Sequence, residues 1–436
     1  MIRKAHLVIV STPILLAAAY SSLRPDRAIR VGTGLVSHTL CSAAFVSGLD
    51  PDQVYVETVK PMGKMHLLDW ALRYDIDTTR QEVRTSFAGL FRSRAIFRQG
   101  AGCLVVHGVP PNLPPVENPT PAALDPLPQV ETTSKKLRSI LDRIFARRDL
   151  ATKAVVVVHD GHIVAERYAP GYGTTTPLHG WSVRKSVNNA LVGILVRQGR
   201  LEVSQPAPVP LWRSDPRREI TIDHLLRMTS GLALTETNSG FDPVSRMLFL
   251  ERDMAAFAER ARLAARPGSR WEYSTGNTII LGRIIRGVLG GTSEDVVRFA
   301  QRELFEPLGM STATLEFDAA GTPTSMYASA RDWARFGMLF AEGGVHEGHR
   351  ILPEEWIRYS TSPTRDTGYG AGWWLGGPHW RPDWALPNDA FYAAGHLHQK
   401  LLVVPSARLV IARFGVTHGG DDGFGWIAEN VLSALQ

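Results

Sequence analysis

A chain of 436 residues, 44% hydrophobic and 21% charged, is long enough to bury a large core and has the composition of an ordinary soluble globular protein. Its net charge of +6 does not point to nucleic acid, because the arginines are scattered through hydrophobic helical patterns and never gather into a basic run.

Arg3 and Lys4 precede an apolar stretch from Leu7 to Ala19, the layout of a secretory signal or membrane anchor over residues 1–22. The stretch is shorter than the ~20 residues of a spanning helix and is interrupted by Ser11, Thr12 and Pro13. Ala17, Ala18 and Ala19 offer small residues for cleavage, while Arg24, Arg27 and Arg30 oppose translocation of that flank. The expectation is a periplasmic protein, or one anchored in the membrane and facing the periplasm; a cytoplasmic chain with a buried first helix is the alternative.

Residues 23–108 form a small α+β segment, helix-like around Leu40 to Val46 and alternating over Glu82 to Phe87 and Cys103 to His107. No function is legible in it. Its two cysteines, Cys41 and Cys103, are the only ones in the chain and are expected to pair if the chain is exported; two buried thiols that never meet are the alternative. Residues 109–130, VPPNLPPVENPTPAALDPLPQV, are too rich in proline for helix or interior strand and read as an extended linker.

From residue 131 onward the pattern is that of one domain. Ser134 to Arg148 has helical spacing, and Ala154 to Tyr168 reads as two strands joined at Asp160-Gly161. The spacing predicts a buried helix opening at or near Ser182 and ending at Gly199. Helical patterns follow over Ile222 to Arg227, Met247 to Ala265, Thr278 to Leu289, Ser293 to Leu304 and Ala330 to Phe340. Strands at Gln399 to Val404 and Leu409 to Phe414, then a helix from about Gly425, close the chain. A helical insert between strands from both ends of a domain implies an antiparallel sheet flanked by helices, an α+β sandwich with an inserted all-helical subdomain.

Chemistry concentrates in three places. In Ser182-Val183-Arg184-Lys185 helical spacing puts the hydroxyl and the amine on one face, where a lysine with a lowered pKa can take the serine proton. In Trp271-Glu272-Tyr273-Ser274-Thr275-Gly276-Asn277 the preceding Pro267-Gly268 turn presents Tyr273 at a loop and helix junction, where a phenol can relay a proton. In Phe391 to Gln399, Gly395 allows close backbone approach and the His396 amide, on an edge strand, can point at an oxyanion. Each has a plainer reading: a chance spacing, a tyrosine packed on the core, a glycine beside a strand. His396 and His398 lack a third ligand, so neither a metal nor any other cofactor is expected.

These elements, in this order, resemble the serine β-lactamase and penicillin-binding protein superfamily, in particular the class C β-lactamase-like branch that includes 6-aminohexanoate-dimer hydrolases and carboxylesterases. The likeness covers roughly Ser134 to Gln436 and extends through Ile220 to Leu226, Met228 to Leu232, Phe305 to Met310, Tyr327 to Asp332 and Tyr369 to Trp374. It implies a β-lactamase/transpeptidase-like fold with Ser182 as nucleophile, Lys185 as its base and Tyr273 as proton relay. The amides of Ser182 and His396 would form the oxyanion hole, and Trp181, Asn277, Trp373, Gly395 and His398 are candidate substrate contacts. Four positions depart from the family pattern. Ala393 and Ala394 stand where Lys or His and a small residue are common, Thr275 stands where β-lactamases usually carry Asn, and His398 stands where close relatives tend to have Gly. Loss of the positive charge removes the usual partner of a substrate carboxylate. Glu236 falls on the loop where relatives place polar substrate contacts.

The expected activity is therefore hydrolysis of a small-molecule ester or linear amide, or of a peptide, through a Ser182 acyl-enzyme. The alternatives are a β-lactamase or DD-peptidase acting on cell-wall-type substrates, and a non-catalytic penicillin-binding-like sensing module. Retention of Ser182, Lys185 and Tyr273 together favours the enzyme.

Overall fold

The computed structural model describes residues 24–110, 134–420 and 423–436. The N-terminal apolar segment and the linker from residue 111 on lie outside them. Among the described residues, no helix is long and apolar enough to cross a membrane.

The chain opens with helix α1 (Pro25–Phe45) and a short α2 (Pro51–Val54), and continues into strands β1 (Leu72–Asp77), β2 (Glu82–Phe87), β3 (Phe91–Arg98) and β4 (Gly102–Val105), which form an antiparallel meander. α1 packs on β2, β3 and β4. Cys41 in α1 and Cys103 in β4 are joined by a disulfide, which closes the unit across its own core of Val36, Leu40, Val59, Val83 and Ala95.

The larger unit is built on a six-stranded antiparallel sheet drawn from both ends of the domain. Helix α3 (Lys135–Ala146), capped by the Ser134 hydroxyl, leads into β5 (Thr152–His159) and β6 (His162–Tyr168). The sheet is completed by β12 (Trp374–Leu375), β13 (Phe391–Gly395), β14 (Gln399–Val404) and β15 (Leu409–Gly415), in the order β12-β13-β14-β15-β5-β6. The run Ala154 to Val158 is continuously apolar because both faces of β5 are covered. Ala154, Val156 and Val158 face the helical insert, while Val155 and Val157 join Leu402, Val404 and Ile411 on the opposite face. There α3 meets the closing helix α12 (Phe424–Leu435).

Between β6 and β12 lies the helical insert. β7 (Leu178–His179) leads through the 3-10 turn Trp181–Val183 into α4 (Arg184–Arg197), nearly all of it buried. Then come α5 (Ile222–Leu226), α6 (Pro243–Leu250), α7 (Met254–Glu259), α8 (Thr275–Leu289) and α9 (Ser293–Ala300). The periodic stretch Met247 to Ala265 is two helices rather than one: the Asp253 carboxylate accepts from Ala256 N at 2.8 Å and starts α7 afresh. β8 (Thr314–Phe317) and β9 (Pro323–Ala328) form a small sheet with β7, in the order β7-β9-β8. α10 (Ala330–Ala341) then packs across β5, β14 and β15, and a small hairpin, β10 (Val345–His346) with β11 (His349–Arg350), precedes α11 (Trp356–Thr361).

The two units meet at Glu316 in β8. Its carboxylate accepts from Ser42 Oγ at 2.6 Å and from Cys103 N at 2.9 Å, and it pairs with His38 Nε2 at 3.2 Å. Gly102 is required beside it: φ is +59°, and a Cβ there would come within 2.4 Å of Glu316 Cγ. Burial favours the neutral form of both groups. Their mutual attraction and hydrogen bonding outweigh it, so the Glu316 carboxyl lies below its ordinary 4.5 and His38 above its ordinary 6.5. The acid therefore contributes stability above pH 4.5, lost as pH falls through its lowered value. The histidine contributes below pH 6.5, lost as pH rises through its raised value. Melting temperatures scanned across pH should show the wild-type advantage over Glu316→Gln greatest between these values; an advantage independent of pH would refute the ion pair.

Candidate active site

Ser182 lies in the 3-10 turn just before α4, and Lys185 in its first turn. Lys185 Nζ is 2.8 Å from Ser182 Oγ and 2.9 Å from Thr275 Oγ1, with the lysine 5% exposed. Thr275 opens α8, whose first residues are fixed by the Ser274 hydroxyl, which accepts from Gly276 N and donates to Leu234 O. Thr275 in turn donates to Glu236, from its amide at 2.5 Å and from its hydroxyl at 3.1 Å. One line of polar contacts thus runs from the serine through the lysine and the threonine to a carboxylate. From sequence Thr275 stands out only as a departure from the family pattern and Glu236 only by its loop; neither can be linked to Lys185 there, because three separate segments have to meet before the link exists.

Tyr273 lies beside this line with Lys185 Nζ 4.5 Å from its ring centroid, a cation–π distance. Its ring stacks on Trp374 at 5.6 Å and meets Tyr369 edge-on at 5.9 Å, with Trp271 at 6.5 Å. Trp271, Tyr273 and Trp374 make one wall of the site aromatic, with Tyr369 buried behind them.

Opposite, β13 runs into the turn that carries Ser182. A Cβ on Gly395 would lie 2.3 Å from Gly180 O, so only glycine lets the strand pass this close to the turn that carries Ser182. β13 is not a free edge, as the sequence suggested: β12 pairs with it, but only at Phe391 and Tyr392, which leaves Ala393 to Gly395 without a partner from β12. Trp181 meets the His396 ring at 5.1 Å and stacks on His179 at 4.1 Å. Burial pushes His396 below its ordinary 6.5, with Glu236 opposing, and pushes His179 down to about 3. Both rings are therefore neutral at physiological pH.

Three expected substrate contacts are placed elsewhere. Trp373 is fully buried among Phe336, Phe340 and Phe391, and its neighbour Trp374 faces the site instead, because pairing of β12 with β13 sets which of the two turns inward. Asn277 is 2% exposed, with its carbonyl accepting from Ser230 Oγ at 2.7 Å; it ties α8 to the Ser230-Gly231 turn. His398 turns away, its Nε2 2.8 Å from Gly419 O. Among the described residues no cluster of three or more His, Cys, Asp or Glu side chains could hold a metal ion.

Comparison with known proteins agrees with this architecture. Residues 137–430 match the model of the family described as Beta-lactamase. The 6-aminohexanoate-dimer hydrolase of Paenarthrobacter ureafaciens is 24% identical over 259 residues, 55% of this chain and 63% of that protein. Two solved structures share the fold. One is a Bacillus anthracis protein provisionally assigned as a 6-aminohexanoate-dimer hydrolase, with a TM-score of 0.58 at 24% identity, covering 73% of this chain and 88% of that one. The other is a family VIII carboxylesterase, with a TM-score of 0.55 at 15% identity, covering 68% of this chain and 96% of that one.

Proposed function

We propose that this chain, which belongs to the Beta-lactamase family, is a serine hydrolase that cleaves an ester or a linear amide through an acyl-enzyme on Ser182. The observation that carries the reading is the buried Lys185 amine, 2.8 Å from the Ser182 hydroxyl. Acting as the base, the Lys185 amine keeps one N–H on Thr275 and uses its lone pair to take the Ser182 proton as Oγ attacks the carbonyl carbon. The negative charge that develops on the carbonyl oxygen is received by the amides of Ser182 and His396. As the tetrahedral adduct collapses, the bond to the leaving group breaks and the proton held on Lys185 passes to it, with the Tyr273 phenol as relay. Water then adds to the acyl carbon with the proton transfers reversed, releasing the acid and restoring Ser182.

The 6-aminohexanoate-dimer hydrolase and carboxylesterase relatives support linear amides and esters as the substrate class, and so does the aromatic wall of Trp271, Tyr273 and Trp374. The Cys41–Cys103 disulfide supports export to an oxidising compartment. Labelling with a fluorophosphonate, followed by peptide mapping, tests the assignment. The expected adduct is on Ser182, together with turnover of short-chain nitrophenyl esters; an adduct elsewhere, or none, overturns the proposal.

A further inference from the structure

The N-terminal unit lies outside residues 137–430, the part that matches the family, yet it reaches the catalytic turn. Two stretches of left-handed backbone flank the proposed oxyanion amides. Trp181, just before Ser182, has φ +49°, and Leu397 and His398, just after His396, have φ +57° and +62°. Non-glycine residues hold such conformations only where their surroundings impose them. Here Leu397 is buried in the apolar cluster of the N-terminal unit, with Val36, Leu40, Val54 and Val59, and Trp181 packs against the same cluster. Gln399 pins the second turn from the other side, its Nε2 donating to His396 O at 3.0 Å and to Gly415 O at 2.7 Å.

A second path joins the same places. Glu316, which receives Ser42 and Cys103 from the N-terminal unit, is paired across β8 and β9 with Ser325. Ser325 Oγ is 2.6 Å from His179 Nε2, and His179 stacks on Trp181. The disulfide keeps Ser42 and the Cys103 amide, one residue from or within it, together on the one carboxylate.

We infer that residues 25–105 are a positioning element of the oxyanion hole, holding Trp181 and Leu397 in conformations that aim the Ser182 and His396 amides at one point. This rests on the proposed assignment of those amides. The packing has room to relax once disturbed, because a cavity of about 80 Å³ already lies between Thr39, Ala43 and Val54 on one side and Trp181 and Leu397 on the other. None of the residues of this unit touches the reacting atoms, so its effect is on alignment. Misaligned donors weaken binding of the transition state more than that of the substrate.

The test uses the full chain with nitrophenyl butyrate and with phenylboronic acid, whose serine adduct mimics the tetrahedral state. Leu40→Ala opens a cavity in the N-terminal cluster, and Val404→Ala opens one on the far face of the large sheet. Leu40→Ala is expected to lower kcat about tenfold with KM within about twofold, and to weaken phenylboronic acid about tenfold. Val404→Ala is expected to lower the melting temperature while leaving both readouts unchanged. Should Leu40→Ala fail to fold, Glu316→Gln, which keeps the volume and weakens the contact with the unit by removing the charge that pairs with His38, is read in the same way. An unchanged kcat in the folded variant, or an equal loss in Val404→Ala, overturns the inference. Fluorophosphonate labelling of the parent separates the two failures. Without a Ser182 adduct both proposals fall; with the adduct present and kcat unchanged in the variant, only this one does.

Discussion

Ser182→Ala is expected to lower kcat for an activated ester by on the order of 10³-fold or more, and Lys185→Ala to lower it by a similar factor. The double variant should lose little beyond either one. The reason is geometric: the lysine amine has two oxygen partners in the site, Ser182 Oγ at 2.8 Å and Thr275 Oγ1 at 2.9 Å, and the threonine proton is already donated to Glu236, which leaves the serine hydroxyl as the one to be activated. With the serine gone the base has nothing to activate, and with the base gone the hydroxyl stays a weak nucleophile. Tyr273→Phe should act differently. It retains the ring beside Lys185 and removes only the phenol proton, so it should cost little with nitrophenyl esters, whose leaving group needs no proton, and much more with linear amides. The measurement is kcat for the single and double variants on both substrate types. If Ser182→Ala retains near wild-type turnover, the nucleophile assignment fails; if the two single losses multiply in the double variant, the residues do not act as a unit.

How far the sequence carried the argument depended on the range of each feature. Ser182 and Lys185 lie on one helical face, so their contact follows from local spacing. The sheet was legible in the same way: Ala154 to Val158, Gln399 to Val404 and Leu409 to Phe414 are local patterns, and the structure forms strands at all of them. What required tertiary contact was hidden. β7 is two residues long, too short for any alternation to register, yet it delivers the chain to Ser182. Trp373 and Trp374 are indistinguishable by type, and only the pairing of Trp374 with Tyr392 decides which faces the site. The link between Thr275 and Glu236 joins segments 39 residues apart. The docking of the N-terminal unit on Glu316 spans 274 residues to Ser42, so that unit appeared as a separate segment with no legible role.

Neutral esters should outrank β-lactams by a wide margin, on the order of 10²-fold in kcat/KM for nitrophenyl butyrate over nitrocefin. Ala393 and Ala394 occupy β13 just before the oxyanion turn, so that stretch offers no cation to a substrate carboxylate. Glu236 adds an opposing charge. It is held against Thr275 by two hydrogen bonds and lies within electrostatic range of His396 and Tyr369, hence of the space a substrate must enter. Two like charges ~6 Å apart at an effective dielectric of ~20 repel by ~3 kcal/mol, and partial exposure of the glutamate screens part of that. Glu236→Gln retains an acceptor for the Thr275 amide while removing the charge, so it should narrow the preference by roughly tenfold, chiefly by raising kcat/KM for the anionic substrate. A preference for nitrocefin in the parent enzyme would show that its carboxylate is held by some other group. A ratio unmoved by Glu236→Gln would show that the missing cation alone sets the selectivity.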